Sequence, residues 1–168
     1  GVTTAARAAL LSLISRARAP RLRTLREFAE QEVILPEGPH QGKRFRVDRQ
    51  PFAGLLFAEM DSGRWSRFAI LGPSQSGKTL CGSVIPALYH LFEIRETYIY
   101  GAPDADMAAD KWLQDLRPAI EASRFADLLP SRGSGAKGGF AKAIRFPIRQ
   151  HTDARRVLLP RFFGSARA

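Results

Sequence analysis

The feature that most constrains this chain is the stretch GPSQSGKT at residues 72–79, which we call the 72–79 loop. It matches the pattern Gly-x-x-x-x-Gly-Lys-Ser/Thr at every fixed position. Gly72 and Gly77 allow backbone turns where a Cβ would clash, so successive N–H groups can surround an anion. Lys78 adds a positive charge, and the Thr79 hydroxyl is of the type that ligates Mg²⁺ beside phosphates. The pattern therefore predicts a phosphate-binding loop between a strand and a helix.

The elements around this loop predict an α/β fold. An apolar strand is expected at 67–71 and a buried helix at 78–92, bent at Pro86 because proline removes a backbone donor. A second strand is expected at 97–100, and Asp104 can cap the helix that follows. That helix places Ala109, Trp112, Leu113, Leu116 and Ile120 on one apolar stripe. The order strand, loop, helix, strand, helix predicts a P-loop NTPase-type parallel sheet flanked by helices. The predicted fold is incomplete.

The rest of the chain divides into a lead-in and a tail. Residues 1–48 are expected to form a helical lead-in, broken at Pro20 and ended by a Pro/Gly loop, before a partial core at 49–130 that opens with a helix at 52–60. The second lead-in helix places Leu22, Leu25, Phe28 and Ala29 on one face. Residues 131–168, which we call the tail, sustain neither helical nor strand periodicity and are predicted to be irregular.

Positive charge is concentrated at the two ends of the chain, whose formal net charge is +10. Residues 1–30 carry six arginines against two glutamates, a net of +4, and the tail carries nine basic residues against one aspartate, a net of +8. Basic ends of this kind bind nucleic acid through its phosphates, although a solvated tail has the same composition. The one cysteine, Cys81, excludes an internal disulfide and fits a reducing cytosol.

Candidate binding residues cluster at the 72–79 loop. The residues predicted to hold ATP are Gly72, Ser74, Gln75, Ser76, Gly77, Lys78 and Thr79, with Thr79 also the predicted Mg²⁺ ligand. Upstream, the amide of Gln50 can donate to and accept from an adenine edge at once, which would favour ATP over GTP. Cys81, just beyond the loop, is expected to be a small core residue rather than a redox centre.

Several stretches together resemble the N-terminal ATPase region of the large terminase subunit of tailed phages, in its lambda-type branch. They are LREFAEQEVILPEG (25–38), HQGKRF (40–45), RQPFAGLLFAEM (49–60), SQSGKT (74–79) and GAPDADMAADKWLQDLRPAI (101–120). The similarity covers about residues 25–130. The loop pattern is shared with many ATPases, so the 101–120 segment is the part that indicates terminases.

The resemblance implies an ATP-driven motor that moves double-stranded DNA into procapsids. It implies ATP and Mg²⁺ at the loop residues, adenine recognition by Gln50, and DNA contacts to phosphates without sequence preference. It also implies a small terminase subunit and a portal or procapsid as partners, a homo-oligomeric motor, a location in the bacterial host cytoplasm, and no membrane association.

The chain departs from that family in ways that limit its expected activity. Such motors need an apolar strand that ends in Asp-Glu, and no Asp-Glu pair occurs in these residues. The loop interior contains no Arg or Lys, and the carboxylates of a nuclease half are missing. We therefore expect ATP binding with little or no hydrolysis, and no cleavage of DNA. The start at Gly1 and the tail after about Phe146 are interpreted as signs of a fragment that is either truncated or out of frame.

Two other interpretations remain open from the sequence. One is a different helicase-like P-loop ATPase that shares the loop and Gln50 but lacks packaging partners. The other is a non-enzymatic, basic DNA-binding module in which the loop does not bind a nucleotide.

Overall fold

The computed structural model describes residues 21–133, 143–146 and 161–164. Four helices and two strands follow one another along these residues. They are α1 (Leu25–Glu32), α2 (Pro51–Asp61), α3 (residues 80–94), β1 (Ile99–Ala102), α4 (residues 105–121) and β2 (Arg161–Gly164), with 3₁₀ turns at Val47–Arg49 and Ala126–Leu128.

Helix α1 begins with a capping box. The Thr24 hydroxyl accepts from the Glu27 N–H at 3.1 Å, and the Glu27 carboxylate accepts from the Thr24 N–H at 2.8 Å. Leu25, Phe28 and Ala29 are buried, as the periodicity predicts, whereas Leu22 lies before the helix and is exposed. The expected helix over 3–20 lies outside the described residues.

Helix α1 is tied to the end of α3 by polar and aromatic contacts. The Tyr89 hydroxyl donates to the Arg23 carbonyl at 2.6 Å, and Arg23 Nε donates to Glu93 Oε1 at 3.1 Å. The rings of Phe28 and Tyr89 meet edge to face, with centroids 5.5 Å apart. These contacts fix α1 against the C-terminal part of α3.

Helix α2 confirms the helix predicted at 52–60. Pro51 occupies its first turn, where the missing N–H costs no helical hydrogen bond. The chain leaves the helix through Ser62 and Gly63, and Gly63 has a φ of +64° that suits glycine. Ala53 and Phe57 face the core.

Helices α3 and α4 contain turns of π-helix next to prolines. In α3 the π segments Leu80–Val84 and Tyr89–Ile94 flank an α segment, Ile85–Leu88, whose second residue is Pro86. In α4 the segments Ala105–Asp110 and Arg117–Glu121 are α-helical and Lys111–Leu116 is π-helical, and Pro118 again stands second in the last α segment. The Ile85 and Arg117 N–H groups each donate five residues back. The five-residue hydrogen bonds at the ends of Leu80–Val84 and Lys111–Leu116 thus come from the residue directly before each proline. Proline has no N–H to donate to the residue four positions back, as an α-helix requires.

The cap and most of the stripe predicted for α4 are confirmed. Asp104 Oδ1 accepts from the Met107 N–H at 2.7 Å. Trp112, Leu116 and Ile120 are buried, but Ala109 is only partly buried and Leu113 is exposed. The remaining buried positions of α4 are Ala108 and Ala119. The buried stripe therefore follows a spacing of four residues through the π turn instead of the α-helical pattern that we assumed.

The described strands form one parallel pair. Residues Ile99–Ala102 of β1 pair with Arg161–Gly164 of β2, with Tyr100 opposite Phe162. The strand predicted at 97–100 thus exists two residues later. The strand predicted at 67–71 is wrong: these residues form no strand, because no described segment pairs with them, and Ile70 instead packs against Gly82 of α3. The fold is mixed and largely helical, without a P-loop-type parallel sheet among the described residues.

Part of the tail belongs to the core. Ile144 and Phe146 are buried, and the Phe146 ring lies 5.3 Å from Phe92 and 6.2 Å from Trp112, centroid to centroid. The tail was predicted to be irregular throughout, but these two residues and β2 are integrated with α3, α4 and β1. The remainder of the tail beyond residue 133 lies outside the described residues. Within the described part, no helix is long and apolar enough to cross a bilayer.

Replacement of Phe146 by alanine should lower the free energy of unfolding by about 3–5 kcal/mol, because it opens a cavity between α3 and α4. Phe52→Ala is the matched control, since Phe52 is 40% exposed and Phe146 only 1%. Urea unfolding followed by circular dichroism measures both. Equal effects of the two substitutions would contradict the placement of residues 143–146 in the core.

Candidate functional site

A cleft of about 840 Å³ contains nearly all the predicted binding residues. Residues 74–79 of the loop, Gln50 and the segment 35–40 all line it. Two residues of α4, Gln114 and Asp115, complete the lining. Its size is that of a cleft for a small molecule or cofactor.

The loop backbone turns at Gly77, whereas Gly72 does not have a positive φ. Gly77 has a φ of +78°, a conformation that side chains with a Cβ rarely adopt. Gln75 also has a positive φ, at +56°, so the chain turns sharply twice within three residues. The Ser76 hydroxyl donates to the Pro73 carbonyl at 2.9 Å and closes the turn.

Lys78 lies inside this turn. Its ammonium donates to the carbonyls of Gly72, at 2.6 Å, and of Pro73. A Cβ on Gly72 would lie 3.3 Å from the Lys78 stem, so a glycine here leaves the lysine room to fold back over the loop. The positive charge is thus held at the centre of the loop.

Helical backbone starts as the loop ends. The Cys81 N–H donates to the Gly77 carbonyl at 2.9 Å, which forms the first turn leading into α3. Thr79 stands on this turn, exposed and in the lining of the cleft. The loop conformation is therefore continuous with a helix that is buried in the core.

Gln50 contacts the loop directly. It is the N-cap residue of α2, its carbonyl accepts from Ala53 at 2.9 Å, and its own N–H donates to Val47 at 2.9 Å. A Cβ built on Gly77 would lie only 2.5 Å from the Gln50 Nε2 atom. The Cys81 thiol donates to Gln50 Oε1 at 3.2 Å.

The cleft-lining segment 35–40 belongs to a tight hairpin over residues 33–45. Ile34 and Arg44 form an antiparallel bridge, and Leu35 exchanges hydrogen bonds with Lys43 and Gly42 at 3.0 and 2.9 Å. Gly38 and Gly42 have φ values of +85° and +75°, which allow the narrow turn. The cleft is lined here by Leu35, Pro36, Glu37, Gly38, Pro39 and His40.

The α4 side of the cleft carries a paired carboxylate. Asp115 Oδ2 accepts from Lys111 Nζ at 2.8 Å, one helical turn away. The hydrogen bond to Asp115 raises the pKa of Lys111, which favours the charged ammonium. Of the described residues, no three or more His, Cys, Asp or Glu side chains come together as a metal site.

The structure brings together the predicted residues and adds others. Ser74 through Thr79 and Gln50 line one cleft, and Gly72 lies just behind it as the acceptor for Lys78. The hairpin, Gln114 and Asp115 were not assigned from the sequence. The Pro/Gly composition of 36–42 indicated a turn but not its position, and nothing local in α4 marks those two residues.

No protein-family model, curated protein or solved structure shows a significant match to this chain. The interpretation of the cleft therefore depends on its own residues and geometry.

Cys81 should resist thiol reagents in the native protein. Burial raises the pKa of its thiol from 9.0 to about 12, because the thiolate is poorly solvated between α3 and Gln50. Near pH 9 an unfolded cysteine is about half ionised, whereas the buried thiol of the folded chain stays almost entirely neutral. Because the thiol has a higher pKa in the folded chain than in the unfolded chain, raising the pH favours unfolding. The contribution of the neutral thiol to the free energy of unfolding is complete below pH 9 and is lost as pH rises toward 12.

Labelling with a chromogenic disulfide reagent at pH 9, in buffer and in urea, measures this difference. Since Cys81 is the one cysteine of the chain, all signal comes from it. We expect labelling at least about a hundredfold slower in buffer than in urea. Equal rates in the two solutions would show that the thiol is not buried behind the 72–79 loop.

Proposed function

We propose that the cleft binds ATP with Mg²⁺, and that the chain is the ATP-binding part of a terminase-type DNA-packaging motor. The observation that carries the proposal is the geometry of the 72–79 loop. A positive-φ glycine, an inward-placed lysine and a helix that starts directly afterwards occur together on one side of a nucleotide-sized cleft.

The loop residues are suited to hold the polyphosphate. Lys78 would donate to phosphate oxygens in place of the Gly72 and Pro73 carbonyls, and the loop N–H groups would add further donors. The exposed hydroxyl of Thr79 would hold Mg²⁺, together with phosphate oxygens and water. Bound there, the ion would neutralise phosphate charge.

The hairpin part of the cleft is suited to hold the nucleoside. Leu35, Pro36 and Pro39 offer apolar surface, and His40 adds an aromatic ring. A ligand with an anionic end and a flat, weakly polar end fits such a cleft, and a nucleotide has this form. The rigid hairpin would keep this surface in place while the loop holds the phosphates.

The carboxylates of the cleft support binding more than hydrolysis. A motor of this kind positions Mg²⁺ and the attacking water with an adjacent Asp and Glu. Among the residues that line the cleft the carboxylates are Glu37 and Asp115, and Asp115 is engaged by Lys111. We therefore propose that these residues bind ATP with little or no turnover, and that the parent motor supplies the hydrolytic acids.

The wider assignment follows from the resemblance of residues 25–130 and from the basic ends. In the parent, we propose a homo-oligomeric motor in the host cytoplasm that works with a small terminase subunit and a portal. It would grip double-stranded DNA through phosphates, because a translocating motor must ignore sequence. The net charges of +4 at residues 1–30 and +8 in the tail are suited to that contact.

Replacement of Lys78 by alanine should weaken Mg·ATP binding at least about tenfold. The expected loss is that of a charge-assisted hydrogen bond, roughly 1.5–3 kcal/mol. Isothermal titration calorimetry of the full chain measures it. Arg64→Ala is the matched control, since it removes the same charge from an exposed side chain outside the cleft and should bind ATP as the wild type does.

Unchanged affinity in the Lys78→Ala chain would contradict the proposal, as would failure of the wild-type chain to bind ATP. In either case the non-enzymatic alternative would become the better interpretation of the loop.

Binding of the full chain to duplex DNA should depend on salt and not on sequence. We expect affinity for two unrelated 30-base-pair duplexes to fall together, by about tenfold or more, between about 50 and 200 mM salt, because phosphate contacts release counterions. Fluorescence anisotropy measures this, with an acidic protein of similar size as the non-binding control. Salt-independent binding, or a clear preference for one duplex, would contradict the proposed phosphate contact.

A further inference from the structure

Gln50 is the residue whose position departs most from its expected role. An amide that recognises an adenine edge must present both its acceptor and its donor to the base. In the structure, Oε1 already accepts from the Cys81 thiol at 3.2 Å. Nε2 lies against Gly77, where a Cβ would approach it to 2.5 Å. Both ends of the amide are therefore directed at the loop and at the start of α3.

The backbone of Gln50 is held firmly enough to support such a role. Its N–H and carbonyl are both hydrogen-bonded, to the turn Val47–Arg49 and to the first turn of α2. Pro51 follows it and restricts its conformation further. The turn packs closely on α2, since a Cβ on Gly54 would meet Val47 at 2.8 Å. The side chain therefore extends from a fixed base to the loop.

Gly77 is the point at which this support acts. Its positive φ turns the loop immediately before Lys78, and its missing side chain leaves the space that the Gln50 amide occupies. Displacement of the amide would release the peptide that sets the direction of the loop N–H groups. A ligand would then have to order the loop itself, which lowers its affinity.

We infer that Gln50, oriented by Cys81, is a positioning residue for the 72–79 loop and does not discriminate adenine from guanine. The inference rests on the proposed nucleotide binding and deepens it, because it assigns Gln50 to the triphosphate end of the ligand. Contacts to the base would then come from the hairpin residues that line the same cleft.

The decisive measurement compares Mg·ATP, Mg·GTP and inorganic tripolyphosphate on the full-length chain. Gln50→Ala should weaken all three by a similar factor, about tenfold, and should leave the ATP-to-GTP affinity ratio within about twofold of the wild type. Gln31→Ala is the control, since Gln31 is exposed and lies outside the cleft. A Gln50→Ala chain that lowers the ATP-to-GTP ratio but still binds tripolyphosphate normally would overturn the inference, and so would a chain that binds all three ligands normally.

Substitutions of Cys81 test the orientation of the amide without removing it. Cys81→Ser keeps a donor for Oε1 and should bind ATP within about twofold of wild type. Cys81→Ala removes the donor and should weaken ATP and GTP equally, by about threefold to fivefold. Equal affinity of the serine and alanine variants would overturn the role of Cys81.

Two further observations distinguish an unfolded variant from a failure of the proposed function or of the inference about Gln50. Thermal unfolding of each variant shows whether the chain is folded, and Gln50→Glu, which keeps the size of the side chain, replaces Gln50→Ala if that variant unfolds. Its carboxylate lacks the Nε2 donor and should weaken both nucleotides equally. A wild-type chain that binds no nucleotide contradicts the proposed function itself, whereas a changed ATP-to-GTP ratio in a binding-competent variant contradicts only this inference.

Discussion

The rest of the structure depends on the burial of helix α3 directly behind the 72–79 loop. Cys81, Ile85 and Leu88 are fully or almost fully buried, and each such side chain contributes on the order of 1–3 kcal/mol through loss of apolar surface to water. Because the Cys81 N–H bonds to Gly77, the last turn of the loop is also the first turn of this core helix. The core therefore determines where the loop ends and in which direction Lys78 and Thr79 emerge.

The loop is also held at its other end and from the side. Before the loop, Ile70 packs where a Cβ on Gly82 would stand, so the incoming chain contacts α3 and pairs with no strand among the described residues. Gln50, the N-cap residue of α2, contacts Gly77 with its side-chain amide, so α2 also supports the loop. Three independent attachments leave the loop backbone little freedom, although most of its side chains are exposed. This arrangement favours a binding loop that exists before its ligand arrives.

Features set by local chemistry were predictable from the sequence, and features set by distant partners were not. The Asp104 cap, the helix at 52–60 and the apolar run of α3 depend on neighbouring residues, and all were predicted. Residues 67–71 have the composition of a strand, but a strand also needs a neighbour, and none is described beside them. At the candidate site, Gly77 and Lys78 were evident from their spacing. The hairpin residues 35–40 lie 32 or more positions before the loop, and Gln114 and Asp115 lie 35 or more positions after it. Only packing shows that they share its cleft.

The position of Lys78 bears on how a polyphosphate would gain affinity in this cleft. Its ammonium already bonds to two carbonyls of its own loop, so transfer to phosphate exchanges one set of charge-assisted contacts for another. The net gain is the difference between the two sets, which is smaller than the strength of either. A loop backbone that keeps its shape reduces the cost of that exchange to the movement of one flexible side chain. Gly77, with Gln50 against it, then matters for affinity as much as Lys78 does, because it keeps the N–H groups of the loop in place while the lysine changes partners.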